Sequence, residues 1–86
     1  MWVIKFTKSA EKDKKNLKSV GLEEQAKKLL NIISDNPFKT PPSYEKLVGD
    51  LYGYYSRRIN IQHRLVYKVY KDINTVVVHS MWTHYE

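Results

Sequence analysis

Apolar and polar residues alternate at the start of the chain, which is typical of a short strand. The apolar side of residues 2–6 carries Trp2, Ile4 and Phe6. Thr7 or Ser9 can then cap a helix, because a side-chain oxygen at that position satisfies backbone N–H groups of the first turn. The helix predicted over residues 8–20 is mostly polar, and its thin apolar stripe consists of Ala10, Leu17 and Val20.

A second helix is indicated more clearly by its spacing. Five apolar residues recur at helical intervals and share one face: Leu22, Ala26, Leu29, Leu30 and Ile33. Gly21 lies where the first helix would end, and Asp35-Asn36-Pro37 ends the second. Three prolines within residues 36–44 then predict an ordered connector.

The rest of the chain has the two-residue period of strands. Runs of β-branched and aromatic residues at 54–60, 63–70 and 75–82 are separated by short spacers, which favour antiparallel neighbours joined by hairpins. A turn or short strand lies before them, between Gly49 and Gly53. This order predicts an α+β domain in which two N-terminal helices pack on one face of a twisted antiparallel sheet of four to five strands.

Composition narrows the class of protein. The 86 residues allow one domain, residues 1–86, and a content of 42% hydrophobic and 13% aromatic residues is too high for a disordered chain. No apolar run approaches the roughly 20 residues that cross a bilayer, and charged residues follow Trp2 too soon for a signal peptide. The absence of cysteine excludes disulfides and a thiolate nucleophile. We therefore expect a soluble cytoplasmic domain.

The net positive charge of the chain indicates which kinds of partner it could bind. A formal charge of +6 suits RNA, DNA or an acidic protein, although small domains often carry such charge for solubility alone. All three arginines, Arg57, Arg58 and Arg64, lie within eight residues of each other. A guanidinium binds phosphate well because it can donate two parallel hydrogen bonds to it. Alternation places Arg64 on the open face of the sheet and Tyr67 on the face toward the helices. Either Arg57 or Arg58, but not both, can lie with Arg64 on the open face.

Three further polar groups could carry chemistry. Glu45 follows the proline-rich connector, and His84 and Tyr85 come at the end of the last predicted strand. If a carboxylate, an arginine and a histidine met on one sheet surface, they would supply a base, an anion stabiliser and an acid. Taken singly, each has a simpler interpretation: a solvated loop carboxylate, a surface salt bridge and a frayed terminus.

A longer motif gives these residues a context. Residues 51–67 have the sequence LYGYYSRRINIQHRLVY, which closely resembles the YoeB family of bacterial toxins within the RelE superfamily. The pair His84-Tyr85 near the end of the chain fits the same family, as does Glu45-x-Leu47 upstream of Leu51. Length and element order also agree, so the resemblance covers nearly the whole chain.

The resemblance implies a fold, an activity and partners. YoeB-like proteins are mRNA endonucleases that act in the A site of the 70S ribosome, inhibit translation and are neutralised by a YefM/Phd-type antitoxin. We therefore expect a RelE/YoeB-like mRNA interferase without metal or other cofactor, either a monomer or a homodimer. It would have no membrane contact, and DNA contact only through the antitoxin complex.

The resemblance also assigns roles by position. Glu45 matches the general base, Arg64 the transition-state stabiliser and His84 the general acid. Arg58 matches a phosphate-binding arginine and Tyr85 a terminal aromatic residue that shapes the site.

Three further residues, close in sequence to Glu45 and Arg58, complete the set expected to bind substrate: Arg57, Lys46 and Tyr55. Two departures from the family pattern bear on rate and substrate handling. Val48 stands where the family often has lysine, and Glu86 adds negative charge beyond the usual terminal tyrosine.

The three histidines of the chain do not indicate a metal site. His63, His79 and His84 lack both the helical i, i+4 spacing and the cysteine partners of a zinc site. His63 is expected to be structural, and His79, set among valines, to be partly buried.

Two other classes of function stay open from the residues alone. A pure RNA-binding or repressor-type module needs only the basic charge and exposed aromatic residues. A superfamily relative that poisons DNA gyrase by protein contact is a third hypothesis. The trio Glu45, Arg64 and His84 argues for the nuclease, because neither alternative requires it.

Overall fold

The computed structural model describes residues 1–82. Within them, two helices and five strands follow one another in the predicted order. Their bounds are β1 Val3–Phe6, α1 Lys8–Ser19, α2 Glu23–Asp35, β2 Glu45–Lys46, β3 Tyr54–Arg58, β4 Arg64–Tyr70 and β5 Thr75–Ser80. Short 3₁₀ turns at Gly49–Leu51 and Lys71–Ile73 precede β3 and join β4 to β5.

The strands form one sheet in the order β1-β5-β4-β3-β2. The pairs β2–β3, β3–β4 and β4–β5 are antiparallel, as predicted, whereas β1 lies parallel to β5. The sheet is therefore mixed rather than wholly antiparallel. Short spacers determine the direction only of strands that follow one another, and β1 is followed by two helices instead of a hairpin.

Local signals explain where the helices begin and end. The hydroxyl oxygen of Thr7 accepts a hydrogen bond from the backbone N–H of Ala10 at 3.1 Å, which caps α1. Gly21 adopts φ +77°, a left-handed conformation that glycine tolerates without a steric penalty. Asn36 ends α2 in an extended conformation, immediately before Pro37.

The inner face of α1 differs from the predicted stripe at one position. Ala10 and Leu17 are buried, but Val20 lies beyond the last helical residue and is 54% exposed. The third buried residue is instead Asp13, whose carboxylate accepts a hydrogen bond from the backbone N–H of Met81 at 2.9 Å. This bond ties the chain that leaves β5 to α1.

Both helices pack on one face of the sheet, here called the helix-side face. Its buried core contains residues from α1, α2, β4, β5 and adjoining segments: Ala10, Leu17, Ala26, Leu29, Ile33, Ile59, Leu65, Tyr67, Val76, Val78 and Met81. Trp2 and Trp82 flank it, partly buried. The predicted alternation in β4 is confirmed, since Leu65 and Tyr67 face the helices. Neither helix within residues 1–82 has the length and apolar content that a bilayer crossing requires.

Candidate active site

The opposite face of the sheet, here called the open face, brings together two of the three expected catalytic residues. Glu45 comes from the edge strand β2 and Arg64 from the start of β4. The Nη1 atom of Arg64 donates a hydrogen bond to Oε1 of Glu45 at 2.8 Å. The Glu45 side chain remains 58% exposed, whereas that of Arg64 is 19% exposed. The carboxylate is therefore accessible from solvent while the guanidinium is held in place.

Arg58 joins this pair through strand register. It lies directly opposite Arg64 in the antiparallel β3–β4 ladder, so both side chains point to the open face. The two arginines and Glu45 line one cleft, whose other walls are Pro42, Ser43 and Ser56. Arg58 is exposed and makes no ion pair within residues 1–82. The cleft therefore presents a guanidinium whose charge no carboxylate of the described chain neutralises.

Ser56 is a polar group of the cleft that the sequence did not single out. It pairs with Glu45 on one side and with Val66 on the other, and it is fully buried. Its Oγ atom has no hydrogen-bond partner among the described residues. Buried hydroxyls are normally satisfied, so this one is a weak point of the packing beside the Glu45–Arg64 pair.

Arg57 lies on the other side of the sheet from its neighbour Arg58. It is 1% exposed, and its guanidinium donates three hydrogen bonds: to the Tyr67 hydroxyl at 3.0 Å, to the Pro42 carbonyl at 2.7 Å and to the Pro37 carbonyl at 2.9 Å. The structure does not place Arg57 in the cleft, because each of its three guanidinium nitrogens donates a hydrogen bond inside the protein; its contact with substrate stays a prediction. Arg57 instead fixes the connector that leads to Glu45.

Tyr67 completes this buried network. Its hydroxyl accepts from Arg57 and donates to the Pro37 carbonyl at 2.8 Å. Removal from water raises the pKa of the Tyr67 phenol above its usual value of 10.0, because burial disfavours the phenolate, although Arg57 opposes this effect. The hydroxyl thus stays protonated as a donor to the connector.

Lys46 and Tyr55 also lie away from the Glu45–Arg64 pair. They are cross-strand partners in β2 and β3, one residue out of phase with Glu45 and Ser56, so they belong to the helix-side face. Tyr55 packs with three other aromatic rings, those of Phe38, Tyr44 and Tyr67. The structure does not bring these two expected substrate-binding residues to the cleft, because adjacent strand residues point to opposite faces.

His84 and Tyr85, the expected acid and terminal aromatic residue, lie outside the described residues, as does Glu86. The approach to them is defined as far as Trp82. The Asp13 carboxylate holds the backbone of Met81, and the Trp82 ring stacks on that of His63 with centroids 4.2 Å apart. His63 is 3% exposed, in accord with the structural role expected for it. No sequence signal marked Asp13, because most residues of α1 are polar and nothing distinguishes this carboxylate from the exposed ones.

His79 is exposed, which corrects the expectation of partial burial. It lies at an irregularity of β5, where Tyr67 pairs with Val78 and Val66 pairs with Ser80, leaving His79 as the extra residue. The three valines before it gave no sign of this bulge. Within residues 1–82, no group of three or more histidine, aspartate or glutamate side chains could hold a metal ion.

The arrangement defines what the cleft can do. An exposed carboxylate can accept a proton, and a guanidinium in contact with it can stabilise negative charge that develops within the same small group of atoms. A second guanidinium on the adjacent strand adds charge for a phosphate. Val48, at the family's frequent lysine position, is 80% exposed and adds no charge.

Comparisons with known proteins agree with the fold. Residues 5–85 match the family model described as YoeB-like toxin of bacterial type II toxin-antitoxin system. The toxin YoeB of Streptomyces coelicolor is 42% identical over 76 residues, which cover 88% of this chain and 81% of the relative.

Solved structures from Staphylococcus aureus give the same result. A chain of the heterotetrameric YoeB-YefM toxin-antitoxin complex is 35% identical, with a TM-score of 0.81 and 99% of both chains covered. A YoeB dimer is 37% identical, with a TM-score of 0.81 and 98% of both chains covered. These matches confirm the expected RelE/YoeB-like fold of two helices on a five-stranded sheet. The chain therefore belongs to the YoeB-like toxins of bacterial type II toxin–antitoxin systems.

Proposed function

We propose that this toxin is an endoribonuclease that cleaves mRNA in the ribosomal A site and so inhibits translation. The observation that carries the proposal is the 2.8 Å contact between Glu45 and Arg64, two residues 19 positions apart in the sequence. In RNA the 2′-oxygen and the phosphorus that it attacks are attached to the same ribose, the phosphorus through the adjacent 3′-oxygen. A carboxylate and a guanidinium that touch each other can therefore reach the 2′-hydroxyl and this phosphate at the same time.

The chemistry needs no metal, because the RNA supplies its own nucleophile. Glu45 takes the 2′-OH proton as the 2′-oxygen forms a bond to phosphorus and the bond from phosphorus to the 5′-oxygen breaks. Arg64 and Arg58 neutralise the charge that builds on the non-bridging oxygens. His84 gives a proton to the departing 5′-oxygen, and Tyr85 shapes the site beside it. The products are a 5′-OH and a 2′,3′-cyclic phosphate.

Dependence on the ribosome is consistent with the shape of the site. The cleft lies on the surface of a sheet, and Glu45 is more than half exposed. Holding the 2′-oxygen in line with the leaving oxygen contributes several kcal/mol to such reactions, and an open surface does this poorly. The ribosome would provide that alignment. DNA lacks the 2′-OH and is not a substrate by this chemistry.

A YefM/Phd-type antitoxin is the proposed inhibitor. The complex from S. aureus pairs a YoeB with a YefM, and the cleft described here is basic apart from Glu45. An acidic antitoxin segment that folds onto Arg58 and Arg64 would mask both guanidinium groups. The YoeB dimer from S. aureus supports a homodimer, rather than a monomer, as a form of this toxin.

The central test replaces the proposed base. Glu45→Gln keeps the size of the side chain and its hydrogen bond to Arg64 but cannot accept the proton. We expect ribosome-dependent mRNA cleavage to fall about 10²–10⁴-fold, the usual range for general base catalysis. Glu24→Gln, at an exposed position of α2, removes the same charge and should cleave normally.

Product analysis and binding separate the alternatives. Undiminished cleavage by Glu45→Gln, or a 5′-phosphate on the product, would contradict the proposal. Binding to mRNA without any cleavage by the unaltered protein would favour the non-catalytic RNA-binding module.

A further inference from the structure

A second group of basic and aromatic side chains lies on the open face, away from the cleft. Tyr54 of β3 and Lys68 of β4 are cross-strand partners, and His79 of β5 packs against Tyr54. We propose that these three residues, called the Tyr54 cluster, bind a nucleotide of the single-stranded RNA away from the phosphate that is cut. This inference rests on the proposed function, because it specifies how the same substrate is held.

The chemistry of the cluster is that of a base-stacking site. The Tyr54 and His79 rings meet edge to face with centroids 5.3 Å apart, so the two rings do not cover each other's faces. Nζ of Lys68 lies 5.4 Å from the Tyr54 ring centroid. An unpaired base stacks on such rings, and an adjacent lysine can contact its phosphate.

Each side chain of the cluster keeps accessible surface, although Nζ of Lys68 also lies over the Tyr70 ring, 5.4 Å from its centroid. His79 is exposed, and Lys68 and Tyr54 are half-buried. Neither Lys68 nor His79 forms an ion pair within the described part of the chain. Both helices pack on the other face of the sheet, so neither of them covers these residues.

Register makes the cluster continuous with the cleft. Along β3 and β4, the open-face pairs are Arg58 with Arg64, Ser56 with Val66, and Tyr54 with Lys68. Lys68 lies four positions after Arg64, about 13 Å away at the usual rise of a strand, and the Ser56–Val66 pair between them is buried. An RNA strand that spans about 13 Å can contact the cleft and the cluster at once by passing over this buried pair without touching it.

Charge favours RNA over a protein as the occupant. On the paired strands, the open face carries Lys5, Arg58, Arg64 and Lys68 against the single carboxylate of Glu45. Arg58 and Arg64 lie at the cleft and Lys68 at the cluster, so a phosphate backbone that spans the two would meet a cation at each end. An acidic antitoxin segment is the competing occupant, and the experiment distinguishes the two.

The test uses two single-stranded oligoribonucleotides that carry a 2′-deoxy residue at the cleavage position, so that neither is cut. The longer one extends far enough to reach the cluster and the shorter one fills only the cleft. His79→Ala should weaken binding of the longer oligonucleotide about tenfold and leave binding of the shorter one unchanged. Lys68→Ala should also lower the dependence of log K on log salt by about 0.7, the value for one phosphate contact on a single strand.

Tyr52→Ala is the matched control, because Tyr52 is 82% exposed and lies outside the cluster. Thermal unfolding establishes that each variant is folded. Equal affinity of His79→Ala and the unaltered protein for the longer oligonucleotide would overturn the inference, as would failure of the unaltered protein to bind it at low salt. Weaker binding of an acidic antitoxin peptide by His79→Ala, with RNA binding unchanged, would assign the cluster to the antitoxin instead. Because the probes are not cleaved, a failure of Glu45 catalysis leaves this result intact.

Discussion

Arg57 and Arg58 are adjacent in sequence and chemically identical, yet they occupy opposite regions of the protein. The Arg57 guanidinium is buried on the helix-side face and donates to two carbonyls and a hydroxyl. The Arg58 guanidinium is exposed on the open face, opposite Arg64. The strand pleat alone separates them. The comparison shows how one short strand can supply both the anchor of the connector and the charge of the cleft.

The largest effect should come from the open face. Arg64→Ala removes the group proposed to stabilise the transition state, and we expect ribosome-dependent cleavage to fall by about 10²–10³-fold. The free energy of unfolding should fall by about 1 kcal/mol, the usual cost of one substitution, because the Glu45 carboxylate is 58% exposed and water can take the place of Arg64. Single-turnover cleavage and urea denaturation measure the two quantities. A variant that loses stability in proportion to activity would show that Arg64 is structural.

Substitution of the buried Arg57 on the helix-side face should mainly lower stability. Arg57→Met leaves the Pro42 carbonyl without its donor and the Tyr67 hydroxyl oxygen without Arg57, so we expect a loss of about 2–4 kcal/mol in the free energy of unfolding. Arg58→Met is the matched control and should stay within about 0.5 kcal/mol of the unaltered protein. Equal stability of the two variants in urea would remove the distinction between the faces.

Tyr67→Phe tests the same network by removing only the hydroxyl, which makes two of its hydrogen bonds. The phenylalanine ring fills the same space but can neither donate to the Pro37 carbonyl nor accept from Arg57, which should reduce the free energy of unfolding by about 1–2 kcal/mol. An unchanged midpoint in urea would mean that the connector does not depend on this hydroxyl.

Alkaline pH sharpens the test of Tyr67. Its pKa is raised by burial, so the unfolded chain loses the phenolic proton at a lower pH than the folded protein does. The resulting stabilisation is complete below 10.0, the ordinary pKa of a tyrosine phenol, and is lost as pH rises from there through the raised value. The free energy of unfolding should therefore decline less across this range in Tyr67→Phe than in the unaltered protein. Parallel declines would contradict the assigned cause.

The smallest effect is expected at Ser56, on the open face of the same strand. Its Oγ atom is buried without a partner in residues 1–82, so Ser56→Ala should leave the free energy of unfolding unchanged or raise it by up to about 1 kcal/mol. Cleavage should persist, because nothing in the proposed chemistry uses this hydroxyl. A large drop in cleavage with stability unchanged would add Ser56 to the site.

The sequence predicted the elements and most of the faces, because period and turn residues act locally. The alternation in β4 correctly separated Arg64 from Tyr67. Alternation in β3 likewise required Arg57 and Arg58 to point to opposite faces, but it did not predict which of the two would be buried. That choice depends on the Pro37 and Pro42 carbonyls, which lie 20 and 15 residues before Arg57.

Periodicity and spacing do not predict contacts between segments that are distant in sequence. The parallel partner of β1, the hydrogen bond from Met81 to Asp13 and the bulge at His79 all depend on segments that meet only in the folded protein. The expectation of Glu45 near Arg64 came from resemblance to a family. The residues themselves, 19 positions apart, gave no local sign of contact.

The parallel pairing of β1 with β5 has a consequence for synthesis. Strand β1 has no hydrogen-bonding neighbour in the sheet until Thr75–Ser80 have left the exit tunnel. Pairings between distant segments form late, because the intervening chain must first be ordered. Cotranslational folding therefore cannot complete this sheet while β5 is still inside the ribosome, and the site built on the sheet is finished only after β5 has emerged.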